Sequence, residues 1–448
     1  MLSIYLTKNR SIQTPIDRLC FSRSAMFFFA IFGASALSHL VPAQASAQVP
    51  LQLPAQLQTQ ARVGVGVELS RADVVARALA HSPALQLAEA QVRLASAHRV
   101  GASMFVRDNP TLSLWSGPRV LASGDVLADL TLGISWPFDL SGSRAARVET
   151  ANAGVRLAES QAQWMQQVAV FDALELWLRA IAAQKRVELE RVQVTLGETA
   201  LRVAQVRRAQ GAVGEQESLV AQLALSTARA RVLAAEGEPR ALIEQLRVLL
   251  GLGSGALSVS RELPTQSLAP LETLIAGLER RADVLQAVQR IDVARAEVQL
   301  QQRLAVPLPR VGLGGGRENE YFARVGLDIA LPVFQRNQTA IAVATEQIAV
   351  NTVERDTVVR RAEGELRAAY ARYEAAQRTL TELQSTLPII AETERLATRG
   401  FELGQNDLTA TLVAYREAAH ARALHLEAMV TLATTQLAVE RAAGLSHP

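Results

Sequence analysis

The chain has 448 residues, 49% apolar and 20% charged, which excludes a disordered or fibrous polypeptide and leaves material for more than one core. Lys8, Arg10, Arg18 and Arg23 against Asp17 account for the formal +3; residues 48–448 hold 42 basic and 42 acidic side chains. A balanced chain has no bulk electrostatic reason to seek nucleic acid.

Residues 1–47 read as a secretory signal: Arg18 and Arg23, an apolar stretch from Ala25 to Val41, then small residues in Ala43-Gln44-Ala45-Ser46-Ala47. Cleavage is expected after Ala47. It would remove Cys20, the sole cysteine, and with it any disulfide, thiolate metal site or lipid anchor. Beyond Ala47 no run of eighteen apolar residues occurs, so a membrane role would need strands.

Residues 48–67 read as a flexible arm rich in Gln, Pro, Val and Gly. A first repeat is expected over 68–252. Ser70 is an N-cap candidate for a helix that runs to about Ala80, restarts at Pro83 and reaches about Phe105. Two strands follow, Thr111 to Trp115 and Val126 to Trp136, separated by the turn-forming Gly117, Pro118, Ser123 and Gly124.

From Ser143 to about Ala209 the pattern is one continuous helix, on the order of 100 Å at 1.5 Å per residue. Its apolar positions, from Val148 through Ala151, Val155 and onward to Val187, alternate three and four apart with one extra four-step at Ala169 to Ala173. That is an Ala-rich coiled-coil seam with a stutter. Gly211 marks a hairpin tip, and a returning helix from about Glu217 breaks at Gly237 and Pro239 before resuming to Leu250.

A linker over 253–269 leads to a second repeat over 270–445, with a tail at 446–448. Ile134-Ser135-Trp136-Pro137-Phe138 corresponds to Ile329-Ala330-Leu331-Pro332-Val333, Leu219-Val220-Ala221 to Leu412-Val413-Ala414, and Gly251-Leu252 to Gly444-Leu445. Ser82-Pro83-Ala84-Leu85 aligns with Ala282-Asp283-Val284-Leu285. Pro388 predicts a kink in the second long helix.

The strands carry the functional argument. Asp129, Thr131, Gly133 and Ser135 alternate with Ala128, Leu130, Leu132, Ile134 and Trp136, and Arg324, Gly326 and Asp328 with Ala323, Val325 and Leu327. Four strands cannot close a barrel, whereas eight from two chains or twelve from three can. The expected fold class is mainly α with a small β part: a long α-helical coiled-coil barrel plus four strands per chain in an oligomeric transmembrane β-barrel, internally duplicated. Asp129, Arg324 and Asp328 would face the lumen, and Trp115, Trp136 and Tyr321 would form an aromatic girdle against outer-membrane lipid.

The duplicated layout, the pieces Ile134-Ser135-Trp136-Pro137-Phe138-Asp139-Leu140 and Leu331-Pro332-Val333-Phe334-Gln335-Arg336-Asn337-Gln338, and the tips Arg208-Ala209-Gln210-Gly211 and Phe401-Glu402-Leu403-Gly404 together resemble the outer membrane efflux protein family, the TolC-like channel-tunnels. The piece from Phe334 to Gln338 is similar to the heavy-metal branch, of the cobalt-zinc-cadmium and copper-silver kind, although Thr339 stands where that branch commonly has Gly. The resemblance implies a homotrimer in the outer membrane of a Gram-negative bacterium, with a periplasmic tunnel docked on a periplasmic adaptor and an inner-membrane RND pump. It implies a passive exit duct for heavy-metal cations; multidrug efflux, type I protein secretion and a non-pore periplasmic scaffold are the alternatives.

The family often closes its tunnel with carboxylates just past each tip Gly. Around Gly211 and Gly404 this makes Glu215, Glu217 and Asp407 the acidic candidates and Arg207, Arg208 and Arg399 their ion-pair partners, although Ala410 and Val413 break the pattern in the second tip. No enzyme, cofactor or resident metal is expected: His81, His98, His420, His425 and His447 are scattered, and Gly312-Leu313-Gly314-Gly315-Gly316 lacks the Lys-Ser/Thr of a phosphate loop. That run reads as a strand followed by a loop.

Overall fold

The computed structural model describes residues 67–105, 108–260, 262–263, 267–317 and 320–445. The signal, most of the arm and His447 lie outside them. All described elements belong to one unit, residues 63–448, and they are mainly helical. No described helix is long and apolar enough to cross a membrane.

Ser70 caps α1 (Arg71–His81) through a capping box with Asp73, and Pro83 opens α2 (Pro83–Ser103). After the strands β2 (Thr111–Val120) and β3 (Val126–Pro137), α3 runs unbroken over 67 residues, Ser143–Ala209. With no Pro and only Gly154 and Gly197 inside, nothing in its sequence stops the hydrogen-bond ladder. The return path is α4 (Glu215–Ala235) and α5 (Gly237–Leu249), with Pro239 inside the first turn of α5, where its missing N–H costs nothing.

The second repeat retraces this. A short helix α6 (Leu271–Ala276) precedes α7 (Ala282–Leu304), then β5 (Arg310–Arg317) and β6 (Tyr321–Asp328). The outward path is split into α8 (Gln338–Gln384) and α9 (Leu387–Glu402), with Pro388 at the start of α9, and the return path α10 (Leu408–Ala443) is continuous. Each repeat therefore pairs one unbroken long helix with one broken one, in opposite order.

Backbone geometry records the duplication. Gly142 and Asn337 open α3 and α8 in the left-handed region (φ 72° and 59°), Gly211 and Gly404 form the tips (both 73°), and Gly251 and Gly444 follow the returning helices (61° and 67°). The offset between partners drifts from 195 to 193, as loop-length differences produce. Ser82 and Arg281 are the N-caps of α2 and α7, so the structure aligns that pair one residue away from the correspondence expected from sequence.

Two strands were not anticipated. β1 (Val67–Leu69) and β4 (Leu257–Val259) pair in parallel, bringing the end of the arm and part of the linker together. Leu69 is fully buried and its carbonyl accepts a hydrogen bond from Trp177 Nε1 at 2.9 Å. Around them the middle of α3 is buried almost all round: Val170, Phe171, Leu174, Trp177, Leu178 and Ile181 share a core with α1, α5, β1 and β4. The expected seam is one stripe only there; Ala169, Ala173, Ala180, Ala183 and Val187 are buried, while Val148 to Met165 are half-buried.

A second core joins α8, through Leu366 and Tyr373, to α10, through Leu432 and Val439. A third, near the tips, joins Ala200, Ala204 and Ala221 of the first hairpin to Phe401, Leu408 and Tyr415 of the second.

Candidate functional site: a four-stranded sheet and two helical tips

β2, β3, β5 and β6 form one antiparallel sheet in that order, so β2 and β6 are its open edges. β2 runs past its expected end at Trp115 through Gly117 and Pro118 to Val120; the turn is confined to 121–125. Pro118 is tolerated because an edge strand need not donate from every residue. The run Gly312 to Gly316 lies wholly within β5, with no loop inside it. A Cβ on Gly316 would sit 2.1 Å from the Leu130 carbonyl oxygen, so only glycine lets β3 approach this closely.

The register separates two faces. Leu114 lies opposite Leu132, Leu112, Ile134, Leu313 and Val325 form one cross-strand row, and Trp136, Val311 and Leu327 form the next. Along β3 this apolar face is the more exposed one, with Leu130 51% and Leu132 52% exposed, while Asp129, Thr131, Gly133 and Ser135 are half-buried. Water-exposed leucine on every strand of a sheet is a face awaiting cover.

Asp129, Arg324 and Asp328 all fall on the opposite, polar face. Asp129 Oδ2 is 2.7 Å from Arg119 Nε, and Asp328 lies opposite Arg310 in the register. Arg324 extends over Gly314, with its guanidinium 5.2 Å from the Phe322 ring. Trp136 and Tyr321 lie on the apolar face at opposite ends of the sheet, Trp136 next to the helices and Tyr321 beside the hairpin turn. Trp115 corrects the expectation: it pairs with Thr131 and so shares the polar face, because β2 keeps an unbroken register with β3.

Between sheet and helix, Asp139 accepts hydrogen bonds from the Ser141 and Ser143 hydroxyls (2.7 and 2.6 Å) and from the Ser141 and Arg144 backbone N–H groups. Burial alone would raise its pKa, but these donors stabilise the anion and bring it down to about 2. At the matching junction Asn337 donates to the Gln301 backbone and side-chain oxygens, both at 2.8 Å.

At the first tip Arg207 pairs with Glu217 at 3.5 Å and Arg208 with Glu215 at 3.1 Å, flanking Gly211. The Arg207 guanidinium also lies 5.2 Å from the ring of Phe401. The second tip differs from expectation. Asp407 is the N-cap of α10, accepting from the Ala410 N–H at 2.6 Å, and Arg399 pairs with Glu402 on its own helix at 3.2 Å. Neither ties two helices together. Sequence reading missed the packing there: Phe401 is 1% exposed, and the Tyr415 hydroxyl and Thr398 Oγ1 are 2.8 Å apart. The apolar Phe401 and Leu408 on either side of Gly404 were the available signal.

Among the described residues no group of three His, Cys, Asp or Glu is placed to hold a metal ion.

Residues 276–445 match the family model described as outer membrane efflux protein. The chain is 23% identical over 309 residues to the nickel-cobalt-cadmium resistance protein NccC of Alcaligenes xylosoxydans xylosoxydans, covering 67% of this chain and 70% of the relative. It is 25% identical over 310 residues to the cobalt-zinc-cadmium resistance protein CzcC of Cupriavidus metallidurans, covering 66% and 72%. Among solved structures it shares its fold with CusC, whose structures are described in terms of transmembrane channel formation: TM-score 0.67, 16% identity, covering 85% of this chain and 94% of that one.

Proposed function

We propose, from the outer membrane efflux protein domain over residues 276–445, that this chain is the outer-membrane channel-tunnel of a tripartite efflux system and a passive exit duct for heavy-metal cations. The observation that carries the reading is the sheet with one uncovered apolar face and two open edges. Such a sheet is stable only when lipid covers the face and neighbouring copies extend the edges. Three chains close a twelve-stranded barrel, with Trp136 and Tyr321 at the two membrane interfaces. The long helices continue from it as a periplasmic tunnel that meets an adaptor and an inner-membrane RND pump. The chain performs no catalytic step. Its role is to provide a route.

The names of NccC and CzcC support the metal cargo, and the channel fold shared with CusC supports the pore. Glu217 with Arg207 and Glu215 with Arg208 are the gate pairs at the tip. Asp407 contributes by capping α10, and Arg399 stays outside the gate.

A strain lacking the gene should lose tolerance to nickel, cobalt, zinc or cadmium and recover it with the gene restored. Unchanged metal tolerance with new drug sensitivity would replace the cargo while keeping the duct. Release from membranes by urea, without a heat-modifiable trimer band in gels, would leave a periplasmic scaffold instead.

A further inference from the structure

Charged side chains on the polar face of the sheet are few enough to follow individually. Among the described residues of the strands they are Arg119, Asp129, Arg310, Arg324 and Asp328. Asp129 is held by Arg119, and Arg310 stands opposite Asp328. Among the described residues Arg324 has no such counterpart on the strands. Its cross-strand row is Gly314, Gly133 and Ser113, and the flanking polar-face positions on β5 are Gly312 and Gly316, so two strands present no carboxylate beside it.

Asp328 lies four residues along β6, roughly 13 Å away at about 3.3 Å per residue. That exceeds the screening length of about 8 Å at physiological salt. Among the described residues the other acids near the strands, Asp125 and Glu320, sit in the hairpin turns; Glu318, between β5 and β6, lies outside the described residues. On its other side Arg324 faces the open edge of the sheet. If β6 of one copy pairs with β2 of the next, that strand brings no acid either, because Thr111–Val120 contains only Arg119 as a charged residue.

We infer that Arg324 places an uncompensated ring of guanidinium groups in the lumen of the barrel, giving this section of the duct a preference for anions. The inference rests on the pore reading above. Its consequence for cargo is that a divalent cation crosses the ring accompanied by anions or bound in a complex of lowered charge, since a bare cation is repelled there. In water, three unit charges at about 8 Å, each screened by salt, together alter the local concentration of a monovalent ion by roughly twofold, so the ring changes selectivity without blocking flow.

The test uses the purified full-length protein in planar bilayers under a potassium chloride gradient. The chloride-to-potassium permeability ratio is expected to fall by about twofold or more in Arg324→Gln and further in Arg324→Glu. Arg324→Lys should keep the original ratio, which separates charge from fold. Arg317→Gln, on the apolar face, should leave it unmoved. A conducting pore whose ratio is the same in wild type, Arg324→Gln and Arg324→Glu overturns the inference and leaves the duct standing. A folded, inserted protein that never conducts, in wild type and equally with the tip pair removed in Glu217→Ala, removes the duct and the inference together.

Discussion

The two helical tips share a backbone and differ in almost every side chain that matters. With the offset of 193 that relates Gly211 to Gly404, the ion pair Arg208–Glu215 of the first tip becomes Phe401 and Leu408 in the second, both buried in one apolar cluster. The pair Arg207–Glu217 becomes Gly400 and Ala410, and the N-cap Gly214 becomes Asp407. The same turn is thus closed once by charge and once by packing. Exposed ion pairs contribute at most about 1 kcal/mol, whereas a buried aromatic side chain contributes several times that. The first tip is the one that salt can loosen, and the second is the one that holds the hairpins together.

The largest effect should follow from Phe401→Ala, which empties a buried aromatic site and is expected to cost about 3–5 kcal/mol in denaturant unfolding. Arg208→Ala, at the matching position, should cost less than about 1 kcal/mol. Equal losses at the two positions would mean that the tips do not differ in kind. Gly211→Ala and Gly404→Ala come next: each forces a side chain into the left-handed region at about 1–2 kcal/mol, and the two values should agree because both φ angles are 73°.

Asp407→Ala should cost about 1 kcal/mol through the lost cap, while Gly214→Asp should gain a few tenths by supplying one. Glu217→Ala, which breaks a half-buried pair with Arg207, should cost on the order of 1 kcal/mol and raise the resting conductance of bilayer-inserted protein. An unaltered closed state would remove Glu217 from the gate.

The two sheet-to-helix junctions repeat the contrast. Asp139 carries a charge where Asn337 carries an amide. Because the Asp139 pKa is lowered in the fold, its stabilisation is complete above the ordinary aspartate value of 3.8 and is lost as pH falls through about 2. Asp139→Asn should therefore abolish that part of the acid sensitivity between those values, read by acid titration of helicity. The Asn337 junction supplies no corresponding step.

Much of the architecture was legible from period and punctuation. The ends of α3 were readable because Gly142 and Gly211 bracket a stretch without proline, and the hairpin pairs because strict alternation is hard to mistake. β1 and β4 were not legible, since three-residue strands exist only through each other and through the Trp177 contact. Trp115 was misassigned because a Gly-Pro pair ordinarily signals a turn, whereas an edge strand absorbs it. At the tips, composition gave the charged residues but not the partners. Which carboxylate meets which guanidinium depends on helix phase across a turn, and the switch from ion pair to apolar contact shows only once the repeats are superposed.

The alternation of broken and unbroken helices has a mechanical consequence. A continuous 67-residue helix resists bending along its whole length, whereas the gaps at Glu236 and at Ser385–Thr386 act as joints. Each hairpin is therefore a stiff spar beside an articulated one. In the duct proposed above, opening of the tip end would load α3 and α10 while α4 and α9 swing, at the segments that contain Gly237-Glu238-Pro239 and Leu387-Pro388.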